Sequence, residues 1–201
     1  MSGVRCAGVC DAPAVANVLV RAFFDDPVAT FLFPDVRRRP ALLARFFDLQ
    51  LTQNYLRRGV VSTTIDGDGA ALWMPPDAPT PTVRERLFHS AFALRLGARR
   101  SAAHRLTALL ESRHPTEPHW YLGALGVLPD RQGRGVGTAL LESALARCDD
   151  RGEGVYLEAS RPESARLYER VGFSCRELLV PATVGVDGPA LYLMYRAGKP
   201  T

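Results

Sequence analysis

Apolar residues recur at helical spacing at Ala14, Val15, Val18, Leu19 and Ala22, behind Asp11 as a capping residue, which predicts a first helix reaching about Phe24. Asp25-Asp26-Pro27 ends it, and Phe31-Leu32-Phe33-Pro34 reads as an apolar loop. Leu42, Phe46, Leu49 and Tyr55 mark a second helix over residues 41–56, closed by Gly59. The spacing then changes to strand type over residues 60–64 and 70–74, joined by the turn Asp66-Gly67-Asp68-Gly69. After the prolines at 75, 76, 79 and 81, two helices are predicted over 82–96 and 101–113, meeting at Gly97. The remainder alternates strand (120–127), helix (138–151), strand (154–158) and helix (163–171), and closes with paired strands over 173–180 and 191–195.

No repeat, low-complexity tract or linker interrupts this order, so the 201 residues read as a single domain of α/β (α+β) class. The chain is 47% hydrophobic, enough for a sizeable core. Of 25 basic residues only Lys199 is lysine, a bias that GC-rich coding explains before any chemistry does. Seven arginines fall between residues 84 and 113, where a solvated face accounts for them. No aromatic-interleaved basic groove accompanies them, so no nucleic-acid partner is expected. Cys6, Cys10, Cys148 and Cys175 lack metal-ligand spacing, and no metal is expected. Without a secretory h-region or an apolar run long enough to span a membrane, the reading is a cytoplasmic chain with reduced thiols.

The chemistry concentrates between residues 119 and 173. An apolar strand is followed by Gln132-Gly133-Arg134-Gly135-Val136-Gly137-Thr138, and a helix starts directly behind the glycines. That arrangement turns backbone N–H groups and the positive end of a helix dipole toward one point, an anion site. Two anions compete for it. A dinucleotide is compatible with Glu158 about twenty residues on. A coenzyme A pyrophosphate fits better the five residues between strand and first glycine, the G-x-G-x-G spacing, and the short remainder of the chain. Gly123 and Gly126 inside the strand mark a bulge, a close ligand, or a helix packed tightly against it.

These residues resemble a known family. Gln132-x-x-Gly135-x-Gly137 is similar to the [RQ]-x-x-G-x-[GA] signature of the GCN5-related N-acetyltransferases (GNAT), and Leu167-Tyr168-Glu169-Arg170-Val171-Gly172-Phe173 to their second signature. Residues 117–122, 157–160 and Pro162 look most like puromycin N-acetyltransferase-like members. The specific match covers residues 117–175, the segment expected to hold the cofactor. The resemblance implies a GNAT fold: a mixed, twisted sheet of about six or seven strands flanked by helices, its fourth and fifth strands splayed around acetyl-CoA. An extra helical segment precedes the fourth strand.

Carried over, Leu125, Gly126 and Val127 bind the pantetheine arm, while Gln132, Gly133, Arg134, Gly135, Val136, Gly137 and Thr138 surround the pyrophosphate. The asparagine that many members place before the tyrosine is absent; Arg161 and Ser164 occupy the candidate positions. The implied reaction is acetyl transfer to the primary amine of a small molecule by direct attack on the thioester, by a monomer or homodimer. A protein acceptor and a non-catalytic acyl-CoA-binding domain are the alternatives. Val127 N–H is the implied oxyanion donor and Tyr168 the acid for the departing thiolate, since a phenol keeps its proton at neutral pH. For the base three readings stand: Glu158, His119, or a water chain. The Phe24–Pro34 region, Trp73, residues 82–113 and the last hairpin are the expected acceptor walls, Phe31, Phe33, Trp73 and Trp120 reading equally as an aromatic pocket or as plain core, with Asp25 and Asp26 either attracting the amine or only ending a helix.

Overall fold

The computed structural model describes residues 3–78 and 94–198. Seven strands form one sheet: β1 (Val4–Cys6), β2 (Val60–Thr64), β3 (Gly69–Met74), β4 (His119–Val127), β5 (Gly154–Ala159), β6 (Ser174–Leu179) and β7 (Leu191–Arg196). Their spatial order is β1-β2-β3-β4-β5-β7-β6. Every neighbouring pair is antiparallel except β4 and β5. Helices cover both faces, as the mixed α/β reading requires. Helices α1 (Ala12–Ala22), α2 (Pro27–Leu32) and α3 (Arg39–Gln50) pack on one side, and α4 (Arg100–Arg113) extends that side beside β5 and β7. Helices α5 (Val136–Asp150) and α6 (Pro162–Arg170) lie on the other.

Side-chain alternation assigns each strand residue to a face. On β3, Ala71 and Trp73 enter the core beneath α5 while Ala70 and Leu72 enter the core beneath α1 and α3. On β4 the alternation slips. Leu72 pairs with Ala124 but Trp73 pairs with Leu122, so Gly123 is an extra residue with no partner on β3. Trp120 and Leu122 face α5 before this bulge, and Leu125 and Val127 face it afterwards. Without the inserted residue the second half of β4 would turn its apolar set to the wrong side.

The bulge has a partner. A Cβ built on Gly123 would lie 1.8 Å from the Tyr55 hydroxyl, and one on Gly126 2.9 Å from Leu19 and 3.0 Å from Ala22. Tyr55 ends a π-helical turn (Leu51–Tyr55) that continues α3. The strand glycines thus admit a tyrosine and a closely packed helix, and tight packing is what requires them.

Three expectations change. Asp11 does not cap α1; its carboxylate accepts from Gly8 N–H at 2.8 Å and from Arg5 at 2.7 and 2.9 Å, closing the turn before the helix. Of the loop expected over residues 31–34, Phe31 and Leu32 instead end the short helix α2, whose first N–H groups (Val28 and Ala29) are bound by the Asp26 carboxylate at 2.8 and 3.2 Å. The second helix begins at Arg39, with Pro40 in its first turn. Most of the helix expected over 82–96 lies outside the described residues.

Arg39 explains how the segment around α2 holds its shape. Only 5% exposed, it donates to the carbonyls of Phe33 (2.8 Å), Phe24 (3.1 Å) and Pro34 (3.2 Å). One guanidinium therefore meets three loop acceptors on both sides of α2, a task suited to its rigid fork of donors. Arg39→Met keeps the aliphatic bulk and leaves those carbonyls without their donor. Urea unfolding should show a loss of about 2–4 kcal/mol, the cost of stranding buried polar groups; a loss below about 0.5 kcal/mol, the level of an ordinary surface change, would contradict this role.

Candidate functional site

β4 and β5 run together for only three residue pairs, His119–Gly154, Trp120–Val155 and Tyr121–Tyr156. Beyond Tyr121 they separate, while β4 stays paired with β3 as far as Val127 and β5 with β7 as far as Ala159. A cavity of about 630 Å³ opens in the fork and is lined by Leu122–Val127, the glycine loop, Glu158–Arg161 and Tyr168.

The register specifies which backbone groups face this cavity. Leu128 N–H donates to the Asp68 carbonyl at 2.9 Å across the end of the β3–β4 ladder. Antiparallel pairs alternate between hydrogen-bonded and open, so Gly126 is bonded to Ala70, while Leu125 and Val127 direct their N–H and C=O groups away from β3, into the fork. Gln132 agrees with this phase, its side-chain amide donating to the Val127 carbonyl at 3.2 Å. Of the strand residues Leu125, Gly126 and Val127, the first offers its backbone N–H and C=O to the fork and the third its N–H, the Val127 carbonyl being taken by Gln132. Gly126 lines the cavity with its backbone groups committed to β3.

The glycine loop leaves β4 through a single helical turn, Pro129–Arg131. Gly133 and Gly135 have φ of 73° and 80°, a left-handed conformation that other residues rarely take, and a Cβ on either would touch nothing. The demand for glycine there is conformational. Gly137 differs, since a Cβ would sit 3.4 Å from Leu167 in ordinary contact. Gly135 occupies the cap position of α5, so no side chain bonds the first N–H groups of that helix, and Val136, Gly137 and Thr138 present theirs to the cavity. This open N-terminus together with the free edge of β4 fits a long substrate carrying a phosphate group and amides. Ser164 lines the same cavity, whereas Arg134 is not among the lining residues. Arg161 also lines it, but its guanidinium donates to the Asp25 carbonyl.

Two ionisable side chains reach the fork from opposite faces. Glu158 lies on β5 in the phase of Tyr156, on the side of α4, and Tyr168 projects from α6 beneath the other face. The Tyr121 hydroxyl donates to Glu158 Oε2 at 2.7 Å. The Tyr156 hydroxyl is buried beside the same carboxyl without completing a well-aligned bond. Burial pushes the Glu158 carboxyl up from the ordinary carboxylate range, against the Tyr121 hydrogen bond, which pulls it down. Tyr168 is 8% exposed and packs edge-on against Phe173. Burial, then the charge of Asp26, raises its phenol well above the usual value, so it keeps its proton.

His119 is not among the described residues that line the cavity. Its Nδ1 meets the Glu117 carbonyl at 2.6 Å and its Nε2 meets His114 Nε2 at 3.0 Å. Trp73, Trp120 and Phe33, expected as acceptor walls, are 0%, 7% and 3% exposed and belong to the core. Asp26 has both oxygens engaged: one caps α2, and the other accepts from Ser160, which ties α2 to the start of α6. Capping the start of α2 is therefore its role. Tyr55, His114, Tyr121 and Ser160 are not among the site residues expected from the sequence. Tyr121 and Ser160 stand in the segments 117–122 and 157–160 but carry no expected role there, and Tyr55 and His114 stand in no motif; their places come from contacts distant in sequence.

Residues 79–173 match the model of the acetyltransferase (GNAT) family. The uncharacterized N-acetyltransferase C550.08 of Schizosaccharomyces pombe is 29% identical over 175 residues, covering 81% of this chain and 70% of that protein. A crystal structure from Corynebacterium glutamicum ATCC 13032, described as histone acetyltransferase HPA2 and related acetyltransferase, is 28% identical with a TM-score of 0.71, covering 100% of this chain and 99% of that one. A crystal structure of an agmatine N-acetyltransferase mutant in its apo form is 19% identical with a TM-score of 0.63 over 97% of this chain and 98% of that one, a likeness of fold.

The buried carboxyl makes a prediction independent of any substrate. Glu158 titrates higher in the folded chain than in the unfolded one, so between those values the folded state holds more protons and the residue's contribution to stability falls as pH rises. Glu158→Gln cannot ionise. Its melting temperature relative to wild type should rise from about pH 5 to about pH 8, because only the parent must then bury a charge. A difference that stays flat or falls over that range would contradict the buried-carboxylate reading.

Proposed function

We propose that the chain is an acetyltransferase of the GNAT family and that it transfers the acetyl group of acetyl-CoA to the primary amine of a small molecule by direct attack on the thioester. The observation that carries this reading is the fork itself: one cavity with a free strand edge, an uncapped helix N-terminus, and a carboxyl and a phenol entering from opposite faces. Acetyl transfer to an ammonium needs each of them. The helix N-terminus holds the pyrophosphate, with Gly133–Thr138 around it and Gln132 fixing the turn, while Leu125 and Val127 bond the pantetheine amides. Val127 N–H then lies along the same edge as the donor for the thioester oxyanion, a contribution of about 3 kcal/mol in comparable sites.

Glu158 takes the proton from the incoming ammonium. A carboxyl raised by burial is a better base than an ordinary one. Tyr168 donates to the departing sulfur; its raised phenol acts first as a hydrogen-bond donor and completes proton transfer as the thiolate charge develops. Ser164, on the first turn of α6, bonds the cofactor where many members use an asparagine. The likeness of residues 117–122 and 157–160 to puromycin N-acetyltransferase-like members supports a small acceptor.

Release of the coenzyme A thiol tests the acceptor. With phenethylamine, agmatine, spermidine and a decapeptide beginning with alanine offered in parallel, at least one small amine should be acetylated and the peptide should not. Turnover of the peptide alone would assign a protein acceptor, and tight acetyl-CoA binding with no turnover would leave a binding domain. Tyr168→Phe should lower kcat about 10²-fold while the Kd for acetyl-CoA stays within about twofold of wild type. Unchanged kcat would remove the phenol from the reaction.

A further inference from the structure

The reaction produces a proton that the cavity must dispose of. The ammonium acceptor has three N–H protons and the amide product keeps one. One of the other two goes to sulfur as the C–S bond breaks and the C–N bond forms, so one proton per turnover has to reach solvent. Glu158, the group that receives it, is among the most buried carboxyls of the described residues, its side chain 11% exposed.

A line of ring nitrogens leads outward from it. His114 Nδ1 lies 3.9 Å from Glu158 Oε1, His114 Nε2 lies 3.0 Å from His119 Nε2, and His119 Nδ1 lies 2.6 Å from the Glu117 carbonyl at the surface. The hydrogen bonds fix its polarity. A carbonyl oxygen only accepts, so His119 Nδ1 carries a proton and, in the neutral ring, its Nε2 is an acceptor. His114 must therefore donate from Nε2, which leaves its Nδ1 as a lone pair directed at Glu158. The 3.9 Å gap closes to hydrogen-bond length with a side-chain movement of about 1 Å, as catalytic contacts commonly tighten on substrate binding.

We propose that His114 and His119 form a proton relay that carries the acceptor's proton from Glu158 to solvent. Glu158 passes it to His114 Nδ1, His114 Nε2 passes its own to His119 Nε2, and His119 releases the Nδ1 proton to bulk water. Each ring, being partly exposed, then returns to its starting tautomer by its own exchange with water, one proton entering at one ring nitrogen as another leaves at the other, so that none goes back to Glu158 and one proton leaves per turnover.

Surrounding groups are consistent with transit and not with storage. Burial, and then the neighbouring His119, hold the His114 imidazole below the ordinary histidine value, so it does not keep the proton it receives. Tyr121 and Tyr156 face the inner end from β4 and β5, each with its phenol raised by burial and by Glu158, and neither competes for release. At the outer end stand Glu117 and its partner Arg176, at 3.8 Å. The rings of His114, His119, Tyr121 and Tyr156 pack against one another at centroid distances of 4.8–6.2 Å, which holds the two imidazoles in line.

The relay rests on Glu158 acting as the base, and the two ideas fail differently. Using the small amine of the panel with the highest turnover, in very dilute buffer, His114→Gln and His119→Gln should each lower kcat about tenfold or more without changing the KM for acetyl-CoA. Tens of millimolar imidazole should restore both, since a diffusible shuttle replaces the missing ring, and should not restore Glu158→Gln. Wild-type rates in both histidine variants, or losses that imidazole does not restore, overturn the relay and leave the base in place. A wild-type rate and pH profile in Glu158→Gln overturns the base, and the relay with it. Nitrogen-15 NMR of the neutral imidazoles gives a readout that needs no acceptor: His119 protonated at Nδ1 and His114 at Nε2 are expected, and the opposite tautomer at either ring refutes the relay.

Discussion

The separation of β4 from β5 after Tyr121 is the constraint on which the rest of this molecule depends. A strand inside a sheet normally has both edges paired, and backbone groups left unpaired in the interior are costly. Here Leu125 and Val127 have no partner on β5, so both Leu125 groups and the Val127 N–H need water or a ligand, while Gln132 meets the Val127 carbonyl. The bulge at Gly123 occurs two residues after the last β4–β5 pair and restores the apolar alternation that the core beneath α5 requires. Tyr55 fills the space that the missing side chain leaves. The same few residues therefore open the fork, keep the core continuous around it, and bring α1 against the strand at Gly126.

Much of this was legible in the sequence, and the rest failed for identifiable reasons. The glycine loop could be read because Gly133 and Gly135 answer a local demand, positive φ, and because α5 follows them directly. Tyr168 could be read because it stands in a short, specific segment. Gly123 and Gly126 were visible as anomalies, but their meaning required Tyr55 and Leu19, which are distant in sequence. Trp73 and Trp120 illustrate the opposite error: large aromatic side chains near a site are as readily core as wall, and only burial separates the two. Helix α2 was hidden because six residues are too few for periodicity to register, and its stability comes from Asp26 and the Arg39 contacts with its flanking carbonyls.

The base was ambiguous in the sequence for a further reason. Glu158 and His119 are both polar residues at strand ends, and nothing local distinguishes them. The parallel register of β4 and β5 separates their surroundings, setting Tyr121 beside Tyr156 and so bringing the Tyr121 hydroxyl to Glu158, while His119, two residues earlier and paired with Gly154, falls at the far end of the fork. His114 then enters between them from the end of α4, a position that no strand pattern predicts.

Proton traffic at the fork follows from how its groups are displaced from their ordinary values. Burial raises every phenol near it, Tyr55, Tyr121, Tyr156 and Tyr168, and a carboxylate adds to each: Glu158 for the first three and Asp26 for Tyr168. All four therefore keep their protons, and Tyr121 donates its own in a hydrogen bond to Glu158. Burial moves Glu158 the other way relative to neutrality, up from full ionisation toward the range where a carboxyl both accepts and releases a proton. The division of labour is thus imposed by low polarity acting on two kinds of acid. Asp26 is kept from joining Glu158 as a second acceptor because the N–H groups of α2 and the Ser160 hydroxyl occupy its oxygens. On the proposed function, the exchangeable carboxyl on one face takes the proton from nitrogen and the locked phenol on the other offers one to sulfur, so that the two steps do not cancel.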